Sequence, residues 1–485
     1  MRNLQAGGVA LLFTGLIISS ACAQAPTSPG DLTGHWRLFV DDEWIADRTH
    51  VDRVYHAFNK HADNPVLIAD QPWEGAATYL YGTVLPSENG TGYRMWYHSW
   101  DGEYRILYAT SPDGIQWLKP NLGLVDYQGS RKNNILLRRT HEDHTPQVIH
   151  TPWETDPNRR YKMINFDYGR TPPRHTVTGY WGAYSADGIH WTDVSKNPVF
   201  PDHPGDVGCF VWDPHTNHYV GYPKKFADVR GYRRRCIGYT ATTQFEEWPP
   251  NRLIMVPDEY DDRWIEQPGQ RTDFYGMSGF AYESMYIGFL WIFRITDGKN
   301  DGPVFVELVT SHNGVDWRRQ DKPRSPILPL GPDGAWDDGM LFTPNHPLLE
   351  GDTIKLYYGG FDVTHGSGGN AAVGLATLRK DGFASLDAGH TTGIVTTKSI
   401  LITPHSQLRV NYTTTDGWIR VELLDETGNS VPGYTNDDCK PLTSDSTNHT
   451  VTWKHVNHLP PQTKAIQIRF ILKNAALYAF NTDPE

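Results

Sequence analysis

Cysteine is nearly absent: four in 485 residues, at Cys22, Cys209, Cys236 and Cys439, with no C-x-x-C pair and no Cys/His spacing of a zinc site. This argues against a disulfide-stapled scaffold and a zinc module. A Cys209–Cys236 bridge is open to an oxidising compartment, but only Cys209, Cys236 and Cys439 are sure to remain after processing at the N-terminus, and buried free thiols fit so sparse and odd a set better. Long apolar runs are lacking too. The longest near the start, Val9 to Ile18, falls short of the roughly 18 residues that cross a bilayer. With Met1-Arg2 before it and Ser19, Ser20, Ala21, Ala23 and Ala25 after it, residues 1–25 read as a secretory signal peptide. Ala23-Gln24-Ala25 fits cleavage, while Ser19 to Cys22 is a bacterial lipoprotein box without its leucine. The expectation is export: periplasmic, extracellular, or outer-membrane lipoprotein, with membrane contact only through a lipid on Cys22. Positive charge is in deficit, 44 Lys+Arg against 56 Asp+Glu, a formal net charge of −12. Such a molecule repels phosphate backbones, so nucleic acid is not the expected partner.

Turn formers and rings are plentiful instead: Gly 45, Pro 34, Trp 17, Tyr 25 and Phe 18, with 38% apolar and 21% charged residues. That composition excludes disorder and coiled coil and points to a turn-rich β protein. Its organising pattern is Ser-x-Asp-Gly-x-x-Trp: SPDGIQW from Ser111, SADGIHW from Ser185, SHNGVDW from Ser311, a degenerate TTQFEEW from Thr242 and a terminal RKDGF around Asp381. Aligning Asp113, Asp187, Gln244, Asn313 and Asp381 gives steps of 74, 57, 69 and 68 residues, the length of whole supersecondary units. Each copy follows short aromatic and β-branched runs, such as TYLYGTVLP, YRMWYHSW and RILYATS before the first. About four antiparallel strands closed by an Asp-Gly turn, repeated five times, make a five-bladed β-propeller over residues 31–389. The acids of these turns read as structural. Residues from about Trp36 to Asn59 fall outside the five units and are left to close or cover the ring. From 390 to 485 the signature stops and alternating strands such as LRVNYTT and IQIRFIL predict a β-sandwich.

In a propeller the innermost strands converge on one axial funnel. The entries of the expected inner strands carry Glu74, Asp143, Asp206, Asp273 and Asp338, and Asp41 precedes the first blade. Crowded carboxylates drive their own pKa values apart, which is how a site obtains a proton donor beside an ionised base or nucleophile. Glycoside hydrolysis needs such a pair, about 5 Å apart for retention and about 6.5–9.5 Å for inversion. Glu74 is the candidate donor, and Asp206 or Asp273 the candidate base or nucleophile. Trp73, Trp336, Trp100 and Tyr275 are candidate sugar platforms, and His144 and His150 candidate hydroxyl partners. Lys224, Lys225, Arg230, Arg233, Arg234 and Arg235 crowd the third unit. A solvated strand face is the common reading of such a run; if some of these, Arg235 among them, point into the funnel, the substrate is an acidic polysaccharide, uronate or sulfated, while Arg235 and Arg271 are also candidate partners for the axial acids. No cofactor is called for and no metal ligand set is present, though the axis could hold a structural calcium.

On these residues the chain resembles the five-bladed propeller glycosidases, the group that includes arabinanases and β-xylosidases of glycoside hydrolase family 43, invertases and fructanases of family 32 and mannoside phosphorylases of family 130. A propeller followed by a β-sandwich is similar to the family 32 layout. The chain also resembles secreted bacterial proteins that share Asn64 to Leu67 with Trp73-Glu74, the W-D-x-G-M stretch at Trp336 and the ending Leu378 to Leu386. It lacks the W-M-N-D-P-N-G, R-D-P and E-C motifs of family 32, and where the group takes a Glu general acid from the third blade it has Asp206. The resemblance implies an exported glycoside hydrolase acting on plant or algal oligo- or polysaccharides. A non-catalytic carbohydrate-binding propeller, or a lyase acting on uronates with Tyr275 and Arg271, stands as the alternative.

Overall fold

The computed structural model describes residues 34–137, 143–168, 178–200, 205–461 and 465–482; the expected signal peptide and Cys22 lie outside them. The regular structure of the described residues is all strand apart from three short 3-10 turns. Strand pairing sorts most of it into five four-stranded antiparallel blades.

Blade I is Ala77–Pro86, Tyr93–Trp100, Tyr104–Ser111 and Ile135–Leu137. Blade II is Asp143–His150, Tyr161–Asp167, Gly179–Ser185 and Trp191–Asp193. Blade III is Gly208–Asp213, His218–Val229, Tyr232–Thr242 and Arg252–Met255. Blade IV is Arg271–Tyr282, Met285–Ile295 and Val304–Ser311, with Trp317–Arg319 and Pro326–Leu328 sharing its outer edge. Blade V is Met340–Phe342, Thr353–Phe361 and Ala371–Arg379, and its outer strand is Asn59–Lys60 from the start of the chain. The ring is therefore closed by residues before blade I. Lys60 fastens that closure with an ion pair to buried Asp337 at 2.6 Å, and Tyr358 Oη donates to the same carboxylate at 2.9 Å.

The repeated turns follow from their residues. Ser111, Ser185 and Ser311 Oγ accept from the glycine N–H three positions on, at 2.7, 2.8 and 3.0 Å. Asp113, Asp187 and Asn313 Oδ1 each accept two further backbone N–H groups. The glycines take positive φ, +82°, +78° and +71°, where a side chain is strained. Each turn also receives an aromatic donor from the preceding blade. Tyr357 Oη bonds Gly114 O, Trp96 Nε1 bonds Gly188 O, and Tyr222 Oη bonds Gly314 O, at 2.9, 2.8 and 2.9 Å. Tyr184 Oη bonds Glu246 in the degenerate third turn at 2.9 Å, and Tyr282 Oη bonds Asp381 in the fifth at 2.9 Å. Five such clips run once around the ring.

The tail shares its sheet with the head of the chain. Arg37–Leu38 pairs with the long Ala465–Asn481, Ile45–Thr49 with Gly393–Thr397 and Asp52–Tyr55 with Ala384–Ala388, in a nine-stranded assembly around its own apolar core. Cys209, Cys236 and Cys439 are buried free thiols, so the Cys209–Cys236 bridge left open above is not formed.

Candidate active site

The axis is blocked midway by a polar plug. Asn345 Nδ2 donates to Phe210 O at 3.1 Å, its Oδ1 accepts from Thr83 Oγ1 at 3.1 Å, and Ser278 and Thr343 hydroxyls meet at 2.7 Å. A cavity of about 560 Å³ lies at the ends of the inner strands, and at their starts polar and aromatic side chains gather around Asp206.

At the starts, Asp206 just precedes the inner strand of blade III. Lys224 Nζ, from the second strand of that blade, lies 2.8 Å from Asp206 Oδ1, and Tyr168 Oη donates to Oδ2 at 2.5 Å. His144 Nε2 is 3.9 Å from Oδ2. The Asp206 side chain is 28% exposed, whereas Lys224 is buried. Burial pushes the Asp206 carboxyl up, but the charges of Lys224 and His144 and the bonds from Lys224 and Tyr168 outweigh it and hold the group far below the usual carboxylate range. Burial lowers Lys224, and Asp206 opposes that shift.

Beside this pair, Asp273 accepts from Arg235 Nη1 at 2.9 Å and lies 3.6 Å from Arg271 Nε. Arg271 spends its Nη groups on Gly269 O and Lys299 O. The Lys224 ammonium sits 4.4 Å from the centre of the Tyr275 ring, whose hydroxyl meets His365 Nε2 at 3.2 Å. Burial lowers His365, and drives His98 well down with help from His144, so both imidazoles are neutral at pH 7. Tyr79 stacks on His98 at 4.9 Å, and Tyr104 and Tyr168 stack on His144 at 4.7 and 5.2 Å. This end of the axis thus brings together one partly exposed ionised carboxylate, fixed cations, the neutral imidazoles of His98 and His365, and a set of phenol rings.

Asp206, Asp273, Arg235, Arg271, Tyr275 and His144, all singled out from the sequence, meet here. Asp143 opens the inner strand of blade II and is buried, accepting from Asn165 Nδ2 at 3.0 Å. Several other candidates are used elsewhere. Glu74 is fully buried in the 3-10 turn Pro72–Glu74, and both oxygens are taken by Asp70 N, Gln71 N, Tyr97 Oη and Lys119 Nζ at 2.6–3.0 Å. It anchors the turn and presents no proton to a substrate. Trp73 donates to Asn134 Oδ1 at 2.7 Å and packs in the blade I core. Trp336 stacks on Tyr358. Asp338 caps its own loop by accepting from Gly334 N at 2.6 Å, while the neighbouring Asp337 is the buried member. Asp41 pairs with His312 at 2.8 Å beside the turn of blade IV. His150 stacks on Tyr161 at 4.3 Å and lines the recess at the opposite end of the axis, a cavity of about 560 Å³.

Sequence reasoning missed Lys224 as an inward group, and missed Tyr168 and His365 altogether. Lys224 alternates with outward neighbours along its strand, so the charge run masked it. Tyr168 and His365 lie just past blade strands, where no repeat marks them. Among the described residues no group of three or more His, Cys, Asp or Glu side chains gathers as a metal site.

No protein-family model matches the chain. Among curated proteins, the chain aligns over 358 residues at 20% identity with the A type blood N-acetyl-alpha-D-galactosamine deacetylase of Flavonifractor plautii, covering 63% of this chain and 41% of that protein. The chain thus spans less than half the length of that relative. Among solved structures it is similar to one described under the GH130 family of mannoside phosphorylases, said to contain glycoside hydrolases that target beta-1,2 mannosidic linkages in Candida mannan. That match has 15% identity and a TM-score of 0.46, covering 67% of this chain and 94% of the other. It is also similar to an N-acetylgalactosamine deacetylase from F. plautii in complex with blood group B trisaccharide, at 14% identity and a TM-score of 0.43, covering 69% and 97%.

Proposed function

We propose that this protein is an exported carbohydrate-active enzyme that hydrolyses glycosidic bonds of oligo- or polysaccharides in the axial recess, with Asp206 as its base or nucleophile. The observation that carries this reading is Asp206 itself: a carboxylate open to solvent, held ionised by Lys224 and Tyr168 and ringed by phenols and imidazoles. A permanently ionised carboxylate suits attack, activation of water, or stabilisation of an oxocarbenium-like centre, and is unsuited to donating a proton at neutral pH. Aromatic edges and faces match the apolar faces of sugar rings. Sequence likeness to a deacetylase acting on N-acetylgalactosamine favours a sugar substrate as well.

One observation favours a second reading. Tyr275 stands between His365 and the cations Lys224 and Arg235, an arrangement suited to a lyase that neutralises a uronate carboxylate while a phenol or imidazole removes the adjacent proton. Time-resolved product analysis on a glycan panel separates the two. New reducing ends without ultraviolet absorption support hydrolysis, unsaturated absorbing ends support elimination, and binding without product leaves neither.

A further inference from the structure

The wall of rings around Asp206 continues outward in one direction. Tyr168, which bonds Asp206, stacks on His144 with the planes 9° apart, and His144 stacks on Tyr104 at 19°. Tyr104 in turn meets Trp100 at 4.6 Å, and Trp100 is 42% exposed. A ladder of rings therefore leads from the ionised carboxylate to an indole in water.

The hairpin carrying that indole is built to hold it still. Trp100 and Tyr104 pair across the tip, Arg105 binds both Asp101 and Glu103, and Tyr127 Oη donates to Pro72 O at 3.1 Å. Gly75, at φ +63°, pairs with Trp100 so closely that a Cβ there would lie 2.3 Å from the Trp100 carbonyl. Rigid exposed aromatics lose little entropy when a ligand covers them, so their binding surface is preorganised.

We infer that Trp100 is a distal sugar platform. A pyranose ring remote from the reacting bond stacks on the indole, while the rest of the chain extends inward towards Asp206. The enzyme then prefers oligosaccharides to disaccharides. This inference rests on the reading of Asp206 as the centre of a glycan site.

The test uses the Asp206→Asn protein, to keep ligands intact, and calorimetric titration with di- and hexasaccharides of mannose, xylose, arabinose and galacturonic acid. The expected result is one series in which the hexasaccharide binds more tightly than the disaccharide. Adding Trp100→Ala should weaken the hexasaccharide about tenfold and draw the ratio towards one, while Trp100→Phe keeps most of it. A hexasaccharide preference that survives Trp100→Ala, or equal weakening of both lengths, overturns the platform alone. Glycan binding by the wild type without turnover overturns the reading of Asp206 and leaves the platform to be judged by the same ratio. No binding of any series overturns both.

Discussion

The Lys224 ammonium lies 2.8 Å from the Asp206 carboxylate, and the lysine is buried while the aspartate still meets solvent. Such a pair fixes the charge of its exposed member. Its attraction, with that of the Tyr168 hydroxyl, keeps Asp206 ionised far below the pH at which a free aspartate takes a proton.

Asp206→Asn should therefore cost orders of magnitude in kcat with little change in fold, and near-wild-type turnover would refute the chemical role. Lys224→Met removes the lowering charge, so the acid limb of the kcat/KM profile should move to higher pH. It also leaves the carboxylate with the Tyr168 hydroxyl but without its buried cation, and should cost about 3 kcal/mol of stability, seen as a lower Tm. Because the folded-state pKa of Asp206 is depressed, its contribution to stability is full above the ordinary aspartate range and drains away below it. Acid titrations of stability should show that slope in the wild type and lose it in Asp206→Asn.

Tyr275→Phe discriminates the two chemistries. If hydrolysis centres on Asp206, removing this hydroxyl should lower kcat/KM by about tenfold or less, since it then only positions His365. Complete loss together with unsaturated wild-type products would make Tyr275 the base of a lyase.

Asp381 behaves in the opposite sense to Asp206. Buried between Tyr282 of blade IV and Asn411 of the tail, its carboxyl is raised to about 6, chiefly by burial, with hydrogen bonds from Asn411 and Tyr282 resisting the rise. A raised carboxyl favours the folded state most when protonated, so this contribution is present below about pH 4 and lost as the pH climbs through about 6. Asp381→Asn, which tolerates the φ of +58° there, should flatten that dependence and gain on the order of 2 kcal/mol at pH 8, measured by denaturant melts. An unchanged slope would exclude Asp381 as its source.

The inter-blade clips predict a local stability effect. Gly188 holds φ +78°, and a Cβ would lie 2.7 Å from the Trp96 ring that donates to its carbonyl. Gly188→Ala should cost about 2 kcal/mol or more and lower Tm, far exceeding Gly90→Ala, where φ is also positive but no atom lies within 4 Å. Equal losses at the two sites would show that backbone strain alone sets the cost.

What was legible in the sequence was what is local. Ser-x-Asp-Gly-x-x-Trp encodes a turn through contacts within a few residues, so its five copies fixed the blade phase, and that phase led to Asp206 and Asp273. Glu74 misled because a carboxylate after Trp73 at a strand entry looks axial, while its partners Tyr97 and Lys119 are distant in sequence. Asp337 and Asp338 differ by one position, and only the approach of Lys60 selects the buried one. Lys224 joined a basic run whose members face different ways, with Arg234 bonded to Asp262 and Lys224 to Asp206.

The strands before blade I and those after blade V hydrogen-bond in the same nine-stranded sheet. In topological terms the propeller is an insert within the tail domain rather than a partner placed ahead of it. Cutting the chain at one point near residue 390 would strip Ile45–Thr49 and Arg37–Leu38 of their strand partners and loosen the very segment that carries Asn59–Lys60 into blade V. The minimal separable unit is consequently the whole chain from about Trp36 to Asn481, and transplanting the propeller ring into another scaffold requires two junctions, one on each side of it.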